Sequence, residues 1–417
     1  LEKLGICPFP AYDPANLSAA RPDLVIPGNA IPRGNPELEE ALNTRLPYWS
    51  MAEAIRNLFL RDKTSIVIAG THGKTTTSAM VAWLLESAGM HPSFLVGGIP
   101  LNFGQSFQWK AQGKFFVIEG DEYDTGFMDR RPKFVHYSPE IVVLNAVEYD
   151  HADLYPNFDA VRDAFRQLIK IVPGNGTLIA NRDSQAGYEL AKNGYSKVIS
   201  FGFHPESDVR VDAEKWENGV VSFRIDGQPC VMRVFGKHNL ANAAATFIVG
   251  KQIGMDGDQI RAALQTFQGV KRRMELRGER NGIEVYDDFA HHPTAIRVTL
   301  EGARLAFPDA RIWGIFEPRS WSSRRNIFQK QFAESFDCSD VAVIAGVHEP
   351  EKLPQEIRLD PQQLVADLNK RTEAHYIPQT EQIVEFVAKN ARAGDKLILM
   401  SNGSFNGLHD RILDRLE

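Results

Sequence analysis

The sequence predicts an α/β protein with a parallel central sheet. Three continuous apolar runs, at 65–69, 115–118 and 141–144, each end in polar residues and are separated by helical stretches. Such runs are typical of the buried strands of a parallel sheet. Because open α/β sheets bind ligands beyond the carboxyl ends of their strands, the three polar endings are expected to converge on one site.

The length and composition indicate a globular protein of more than one domain. The chain has 417 residues, 43% of them hydrophobic and 24% charged, with a formal net charge of −6. At this length two or three domains are expected. The charge pattern does not indicate a nucleic-acid partner, and the apolar stretches are far shorter than the roughly 18 residues of a membrane span. Three widely spaced cysteines favour a reducing compartment, so we expect a cytoplasmic protein.

The first 62 residues predict only part of a small α/β domain. One strand candidate, at 23–27, is followed by a turn-rich segment and by helical stretches at 37–44 and 51–60. One strand is too little for an independent core. The chain also begins with Leu1 rather than Met, so we expect this N-terminal domain to be incomplete.

The first apolar run leads into a candidate phosphate loop at 70–77, before a helical stretch at 78–87. Consecutive backbone N–H groups at a helix start bind polyphosphates, Lys74 would reach the terminal phosphates, and Thr75 would ligate Mg²⁺. A standard loop has glycine at the position of Ile68. The alternative is a glycine turn with a solvated lysine. The nucleotide-binding candidates here are Gly70, Thr71, His72, Gly73, Lys74, Thr75 and Thr76.

The other two polar endings supply candidate metal ligands. Glu119 follows the second run and, beside a phosphate loop, would ligate Mg²⁺ through its hard oxygen atoms; otherwise it caps a helix or is solvated. His151 ends the segment after the third run. It is either a second metal or substrate ligand or a structural histidine.

The remainder of the chain predicts a meander and a second α/β unit. Residues 174–235 alternate like strands, with Asp226-Gly227 as a hairpin turn, and a helix follows at 239–253. Asn239 and Asn242 lie on one face near its start and either cap the helix or bind a nucleotide base. Strand candidates then recur, at 284–286, 311–316, 341–345 and 396–400. We therefore divide the chain into domains at 1–62, 63–275 and 276–417.

Charged residues near the second boundary are candidates for contacts with the nucleotide. Arg273, in a basic turn, is either solvated or moves onto the γ-phosphate when domains close. The segment 286–293, which includes Asp288 and His291, ends the next strand and would meet the nucleotide from the other domain. Its two aspartates and two histidines leave a metal site as the less favoured alternative.

Six motifs in order resemble the Mur ligase family of ATP-dependent, amide-forming enzymes of peptidoglycan precursor synthesis. They are GTHGKTTT (70–77), IEGDEYD (118–124), NAVEYDHADLY (145–155), GKHNLANAAA (236–245), RRMELRG (272–278) and YDDFAHHPTA (286–295). The resemblance implies three α/β domains: a UDP-binding N-terminal domain, a phosphate-loop ATP domain and a Rossmann-like C-terminal peptide domain. It also implies ATP and Mg²⁺ as cofactors.

Within the family the chain is most similar to one branch, on the segments 28–37, 115–124, 133–140, 317–320 and 400–409. That branch joins the tripeptide L-Ala-γ-D-Glu-meso-diaminopimelate to UDP-N-acetylmuramate through an acyl phosphate, in peptidoglycan recycling. The alternatives are the branch that adds L-alanine to UDP-N-acetylmuramate and a non-catalytic nucleotide-binding protein that retains the fold. The carbamylated lysine of several relatives is missing after His151, and so is the opening glycine-rich loop that helps to hold UDP.

The resemblance assigns roles to matching residues. Lys74, Glu119, His151 and Arg273 would be catalytic; Thr75, Glu119 and His151 would hold metal; Asn239, Asn242, Arg273 and Asp288 would contact ATP. His291 or His292 is the candidate base for the amine. Arg319, in a segment with three arginines, would bind a peptide carboxylate unless it belongs to a solvated helix start. The substrate candidates are Asn29, Arg33, Asn35, Asn102, His291, Arg319 and Asn402.

Overall fold

A computed structural model describes residues 5–217 and 219–416. Its first part contains helices α1 (Pro14–Ala20), α2 (Pro36–Asn43) and α3 (Met51–Ile55), the last continued by a π-helix at Arg56–Leu60. The strand expected at 23–27 is wrong except for an isolated bridge between Val25 and Tyr48. The Val25 N–H donates to the Pro47 carbonyl, but prolines 27 and 47 lack the N–H groups that a longer ladder needs.

The central part of the chain forms one ten-stranded sheet and a separate hairpin. The strands are β1 (Thr64–Ala69), β2 (Ser93–Leu95), β3 (Phe107–Gln108), β4 (Phe115–Glu119), β5 (Asp124–Gly126), β6 (Asp129–Pro132), β7 (Ile141–Leu144), β8 (Thr177–Asn181), β9 (Lys197–Gly202), β10 (Val209–Glu217), β11 (Val220–Ile225) and β12 (Gln228–Met232). The large sheet has the order β12-β11-β10-β9-β8-β7-β1-β4-β2-β3, and β5 pairs with β6 alone. The hairpin turn at Asp226-Gly227 lies between β11 and β12, as expected.

The three strands predicted from apolar runs are neighbours in this sheet. β1 lies between β7 and β4 and is parallel to both, with Ile66 opposite Ile141 on one side and Val117 on the other. Their carboxyl ends therefore meet at one edge. The α/β fold with a parallel central sheet is confirmed.

Helices cover both faces of the central sheet. They are α4 (Lys74–Ser87), α5 (Phe158–Ile171), α6 (Gln185–Ala191), α7 (Lys237–Gln252) and α8 (Gly257–Gln265). One core contains α4, α7 and α8, and a second contains α5 and α6. The fully buried Ala243, Ala244 and Ala245 let α7 pack closely against α4. Helix α4 begins at Lys74, four residues before the expected start, because Gly73 has a left-handed φ of 79° and the helix starts directly after it.

The last part of the chain forms a six-stranded sheet. Its strands are β13 (Glu275–Arg280), β14 (Ile283–Asp288), β15 (Ile312–Phe316), β16 (Val341–Ile344), β17 (Glu373–Tyr376) and β18 (Lys396–Met400), in the order β13-β14-β18-β15-β16-β17. Its helices are α9 (Pro293–Ala306), α10 (Gln329–Glu334), α11 (Pro361–Leu368), α12 (Thr380–Asn390) and α13 (Leu408–Arg415). All four expected strands are present. The edge strands β13 and β17 are additional; they are partly exposed and lack the continuous apolar run of a central strand.

The central and C-terminal sheets meet along a seam, which we define by residues 148–150 on one side and residues 291–294 and 322 on the other. The Asp150 carboxylate accepts a hydrogen bond from the Ser322 hydroxyl at 3.0 Å. Tyr149 packs against Phe328, with ring centroids 6.1 Å apart. The seam adjoins the carboxyl edge of the central sheet. Among the helices of the described ranges, none is both long and apolar enough to cross a membrane.

Candidate functional site

The loop between β1 and α4 has a backbone that only glycine suits at two positions. Gly70 and Gly73 have φ values of 128° and 79°. A Cβ on Gly70 would lie 2.9 Å from the Asn145 Cβ. One on Gly73 would lie 2.8 Å from both the Asn145 Nδ2 and the Asn242 Oδ1. The loop is therefore held tightly between the ends of β1 and β7 and the first turn of α7.

Lys74 forms a buried ion pair that the sequence did not indicate. Its Nζ lies 2.7 Å from the Gly70 carbonyl oxygen and 2.7 Å from the Glu122 Oε2. Burial lowers the pKa of Lys74, but the charges of Glu122 and Asp121 outweigh burial and raise it. Lys74 is thus a cation beside the helix start, as phosphate binding requires.

Glu122 also contacts His151, 3.0 Å from its Oε1 to the imidazole Nε2. Burial lowers the pKa of His151, whereas the hydrogen bond and charge of Glu122 raise it by more. The sequence motifs assign no role to Glu122. Its position in the sequence could have indicated a site residue, because Glu122 lies in the polar segment that follows β4, three residues after Glu119.

Thr75 and Glu119 form a second pair at the loop. The Thr75 hydroxyl donates to the Glu119 Oε1 at 3.1 Å, and the Gly97 N–H donates to the Oε2 at 2.8 Å. Burial raises the pKa of Glu119 against the opposing charge of Lys74. Beside the loop, the Asn145 Oδ1 is buried without a hydrogen-bond partner. A hydroxyl and a partly buried carboxylate side by side are oxygen donors of the kind that Mg²⁺ takes.

Asn239 and Asn242 lie next to the loop in the first turns of α7. The Asn239 Nδ2 donates to the Phe235 carbonyl at 2.8 Å, and the Asn242 Nδ2 donates to the Asn239 Oδ1 at 3.0 Å. The N-cap of α7 is Gly236, without a side-chain cap; Asn239 bonds the chain just before the helix and Asn242 borders Gly73, and contact with a nucleotide base stays a prediction.

Arg273 and Asp288 occupy different environments. The Arg273 guanidinium is exposed and lies over the Phe289 ring, 5.1 Å from its centroid. The buried Asp288 accepts hydrogen bonds from the Met274 and Ala290 N–H groups, each at 2.8 Å, and burial raises its pKa. The exposed Arg273 can contact a ligand. Asp288 instead holds the backbone that follows Arg273 against the backbone that follows β14.

The neighbouring Arg272, to which the sequence analysis gave no role, joins the boundary to the C-terminal sheet. Its Nη2 donates to the Ser401 and Gly403 carbonyl oxygens, each at 2.6 Å, and its guanidinium pairs with Asp287. Arg272 thereby fixes the chain before β13 against the loop after β18. The adjacent Arg273 stays exposed, and its charge acts on Glu119 and Asp288.

The two histidines before α9 lie at the seam, where His292 is buried and His291 is partly buried. The His291 Nδ1 lies 2.9 Å from the Phe289 carbonyl oxygen, and burial lowers the pKa of His291. His292 caps α9, and its Nε2 lies 3.2 Å from the Tyr149 carbonyl oxygen. Burial, with a smaller effect from His72, lowers the pKa of His292 to about 4.

The N-terminal substrate candidates are partly occupied within the protein. Arg33 forms a bidentate pair with Glu39, at 2.9 Å and 3.0 Å, and Asn35 caps α2. Asn29 lies beside the β5–β6 hairpin, where a Cβ on Gly126 would be 3.7 Å from the Asn29 Cα. The turn at 28–36 therefore lies against the central part of the chain.

Asn102 has both polar groups bonded within the protein. Its Oδ1 accepts from the Gln268 N–H at 2.9 Å, and its Nδ2 donates to the Thr266 carbonyl at 3.0 Å. It holds the loop after β2 to the segment that leads into the C-terminal sheet.

Arg319 and Asn402 lie together at the carboxyl ends of β15 and β18. The Arg319 Nη1 is 3.4 Å from the Glu317 Oε1, and the Arg319 side chain packs on Gly403. Glu317 also accepts from the Ser401 hydroxyl. The Asn402 Oδ1 is buried without a hydrogen-bond partner. The structure thus brings these two candidates together, apart from the phosphate loop.

Three family models match successive parts of the chain. The Mur ligase family, catalytic domain, matches residues 1–63; the Mur ligase middle domain matches residues 68–250; and the Mur ligase, glutamate ligase domain, matches residues 272–403.

Relatives match over nearly the whole chain. The UDP-N-acetylmuramate–L-alanyl-γ-D-glutamyl-meso-2,6-diaminoheptandioate ligase of Escherichia coli K12 is 37% identical over 100% of this chain and 89% of its own. The UDP-N-acetylmuramate–L-alanine ligase of Desulfitobacterium hafniense is 33% identical over 93% of this chain and 86% of its own. The crystal structure of a murein peptide ligase from Psychrobacter arcticus is 33% identical, with a TM-score of 0.69, over 100% of this chain and 90% of that one. The chain belongs to the Mur ligase family of ATP-dependent ligases.

Proposed function

We propose that this ligase joins the tripeptide L-Ala-γ-D-Glu-meso-diaminopimelate to UDP-N-acetylmuramate, through an acyl phosphate, in peptidoglycan recycling. One observation carries the proposal: a relative named for these two substrates is 37% identical over the full chain, against 33% for the L-alanine ligase. We assign UDP binding to residues 1–62, ATP binding to 63–275 and the peptide to 276–417.

ATP and Mg²⁺ fit the loop between β1 and α4. Lys74 and the backbone at the start of α4 would hold the phosphates, and Thr75 with Glu119 would hold Mg²⁺. His151, which contacts Glu122 and not Glu119, is our second metal-ligand candidate. Bound Mg²⁺ would offset negative charge on the reacting phosphate and carboxylate.

Arg273 would supply charge from the segment between the sheets. Its guanidinium is the exposed one of the 272–273 pair, and its charge acts on Glu119, whereas Arg272 is bonded to the C-terminal sheet. The charge of Arg273 already acts on Glu119 beside the phosphate loop, and approach of the two sheets around the substrates would bring it onto the transferred phosphoryl group. Such closure would also keep water from the acyl phosphate.

Residues at the carboxyl ends of β15 and β18 are suited to the peptide. Arg319 is paired only at 3.4 Å with Glu317, so its planar donors can pair with a peptide carboxylate. The partnerless Asn402 oxygen beside it can accept a hydrogen bond from a peptide amide or ammonium group. Neutral His291 lies at the seam and remains our candidate base for the attacking amine.

The deciding experiment measures ADP release with UDP-N-acetylmuramate, ATP and one of two amines. We expect turnover with the tripeptide and little with L-alanine at equal concentration. Turnover with L-alanine alone would assign the chain to the second branch, which the 33% identity of the L-alanine ligase makes the second candidate. Nucleotide binding without ADP release with either amine would favour the non-catalytic alternative.

A further inference from the structure

Two imidazoles and one carboxylate meet at the seam, beside the phosphate loop. His72 comes from the loop itself, Glu148 follows β7, and His292 precedes α9. One potential ligand atom of each lies within 4.8 Å of the others. Within residues 5–217 and 219–416, this is the one group of three or more such side chains close enough to hold a metal ion.

The carboxylate and the loop histidine are held in place by neighbouring groups. The Glu148 N–H donates to the Thr71 hydroxyl at 3.0 Å, which ties Glu148 to the phosphate loop. Its Oε2 accepts from the Thr294 hydroxyl at 2.6 Å and lies 3.3 Å from the His72 Nε2. The phosphate loop, through His72, and helix α9, through Thr294, therefore both contact the Glu148 Oε2.

His292 has the arrangement of a metal-ligating histidine. Its Nε2 lies 3.2 Å from the Tyr149 carbonyl, which can only accept, so the Nε2 carries the proton. The Nδ1 accepts the Thr294 N–H at 3.3 Å in capping α9, a long hydrogen bond that a bound metal ion would replace. A histidine that donates one ring N–H to a backbone carbonyl presents the other nitrogen in a fixed orientation, as metal sites use it.

We propose that His72, Glu148 and His292 bind one Zn²⁺ ion, at a site distinct from the oxygen donors Thr75 and Glu119. Two imidazole nitrogens and one carboxylate suit Zn²⁺, whereas Mg²⁺ prefers oxygen ligands throughout. Zinc–nitrogen bonds of about 2.0–2.1 Å place tetrahedral ligand atoms about 3.4 Å apart, so side-chain movements of about 1 Å complete the set. Three protein ligands leave a fourth position for water.

The site would join the C-terminal region to the phosphate loop. His72 lies between Thr71 and Gly73, so an ion bound to it and to His292 links the loop directly to α9. The inference is independent of which amine the ligase uses, because it rests only on the three ligands and their neighbours.

The test is a titration of metal-free, full-length protein with Co²⁺ in the absence of ATP and Mg²⁺. We expect one equivalent to give the intense visible absorption of four-coordinate Co²⁺, which Zn²⁺ abolishes by displacement. Glu148→Gln keeps the shape and hydrogen-bonding capacity of the side chain, and we expect it to weaken Co²⁺ binding at least about 100-fold. Zn²⁺ should also raise the melting temperature of the wild type but not of the variant.

His375→Gln is the matched control, since His375 pairs with Glu373 at 2.9 Å without a third ligand. It should leave both readouts unchanged. If Glu148→Gln fails to fold, His72→Gln takes its place, because His72 is in a loop and only partly buried. Only weak, six-coordinate absorption in the wild type, or intense absorption that neither variant reduces, would overturn the proposal.

Discussion

At the scale of single residues, the site is organised by Glu122. Its carboxylate is almost fully buried, at 2% side-chain exposure, and pairs with both Lys74 and His151. It raises the pKa of both groups at a place where burial alone would lower it. Lys74 can thereby exchange the Glu122 carboxylate for a phosphate group of the nucleotide.

Glu122→Gln should destabilise the free protein because it removes the carboxylate that is hydrogen-bonded to the largely buried Lys74. We expect a loss of about 3 kcal/mol in the free energy of unfolding, measured by urea denaturation without nucleotide. ADP should recover more stability in the variant than in the wild type, because the phosphates restore the negative charge. Glu385→Gln, at the exposed pair with Arg415, is the control and should change little. Equal stability of the Glu122 variant and the wild type would contradict this account.

At the scale of elements, the turn from β1 into α4 depends on glycine for two separate reasons. Gly73 requires a positive φ, and it also requires space against Asn145 and Asn242. Gly89, just after α4, has a similar φ of 71° but no atom within 4 Å of its hypothetical Cβ. A side chain at Gly89 therefore introduces backbone strain alone, whereas one at Gly73 also displaces the phosphate loop.

Gly73→Ala and Gly89→Ala should therefore differ in their effect on nucleotide binding. Each costs about 1 kcal/mol of stability through backbone strain. Gly73→Ala must also displace the loop, so we expect its ADP affinity, measured by titration calorimetry, to fall by about tenfold or more. Similar ADP affinities for the two variants would show that the contacts with Asn145 and Asn242 do not position the loop.

At the scale of the whole molecule, the seam buries ionisable groups between the two sheets. His292 is 6% exposed and holds a pKa of about 4 through burial. Glu148 across the seam is held at a pKa of about 2: burial raises it, but the hydrogen bond and charge of His72 lower it by more. Because both pKa values are lower in the folded chain than in the unfolded chain, the stability of the contact between the sheets depends on pH.

The direction follows from His292, whose pKa of about 4 lies below the ordinary value of 6.5. Between pH 6.5 and pH 4, His292 is protonated in the unfolded chain but largely neutral in the folded chain. Its contribution to stability is therefore fully present above pH 6.5 and is lost as the pH falls toward 4. The full effect is about 3 kcal/mol. We expect the melting temperature of the metal-free protein to fall as the pH is lowered across this range. In the His292→Gln variant the decrease should be smaller.

His375→Gln, at an exposed pair, should keep the wild-type pH dependence of the melting temperature. Because the chain contains more than one cooperative unit, the midpoint rather than an extrapolated free energy is the proper readout. An unchanged slope in His292→Gln would place the titrating groups elsewhere.

The sequence by itself determined the central architecture, because strands buried on both faces must be continuously apolar. This property located β1, β4 and β7 and the edge where their polar endings meet. The same property is missing in the edge strands β13 and β17, which are paired on one side and partly exposed, so they were not found. The motifs likewise identified the family.

Only the tertiary structure decided which side chains meet. Glu122 reaches Lys74 across 48 positions, and Glu148 reaches Thr294 across 146. It also distinguished the two adjacent arginines, since Arg272 is bonded to the loop after β18, whereas Arg273 is exposed and lies over the Phe289 ring. Hydrophobic periodicity specifies which face of an element is buried, whereas these pairings depend on how separate elements are placed once they pack.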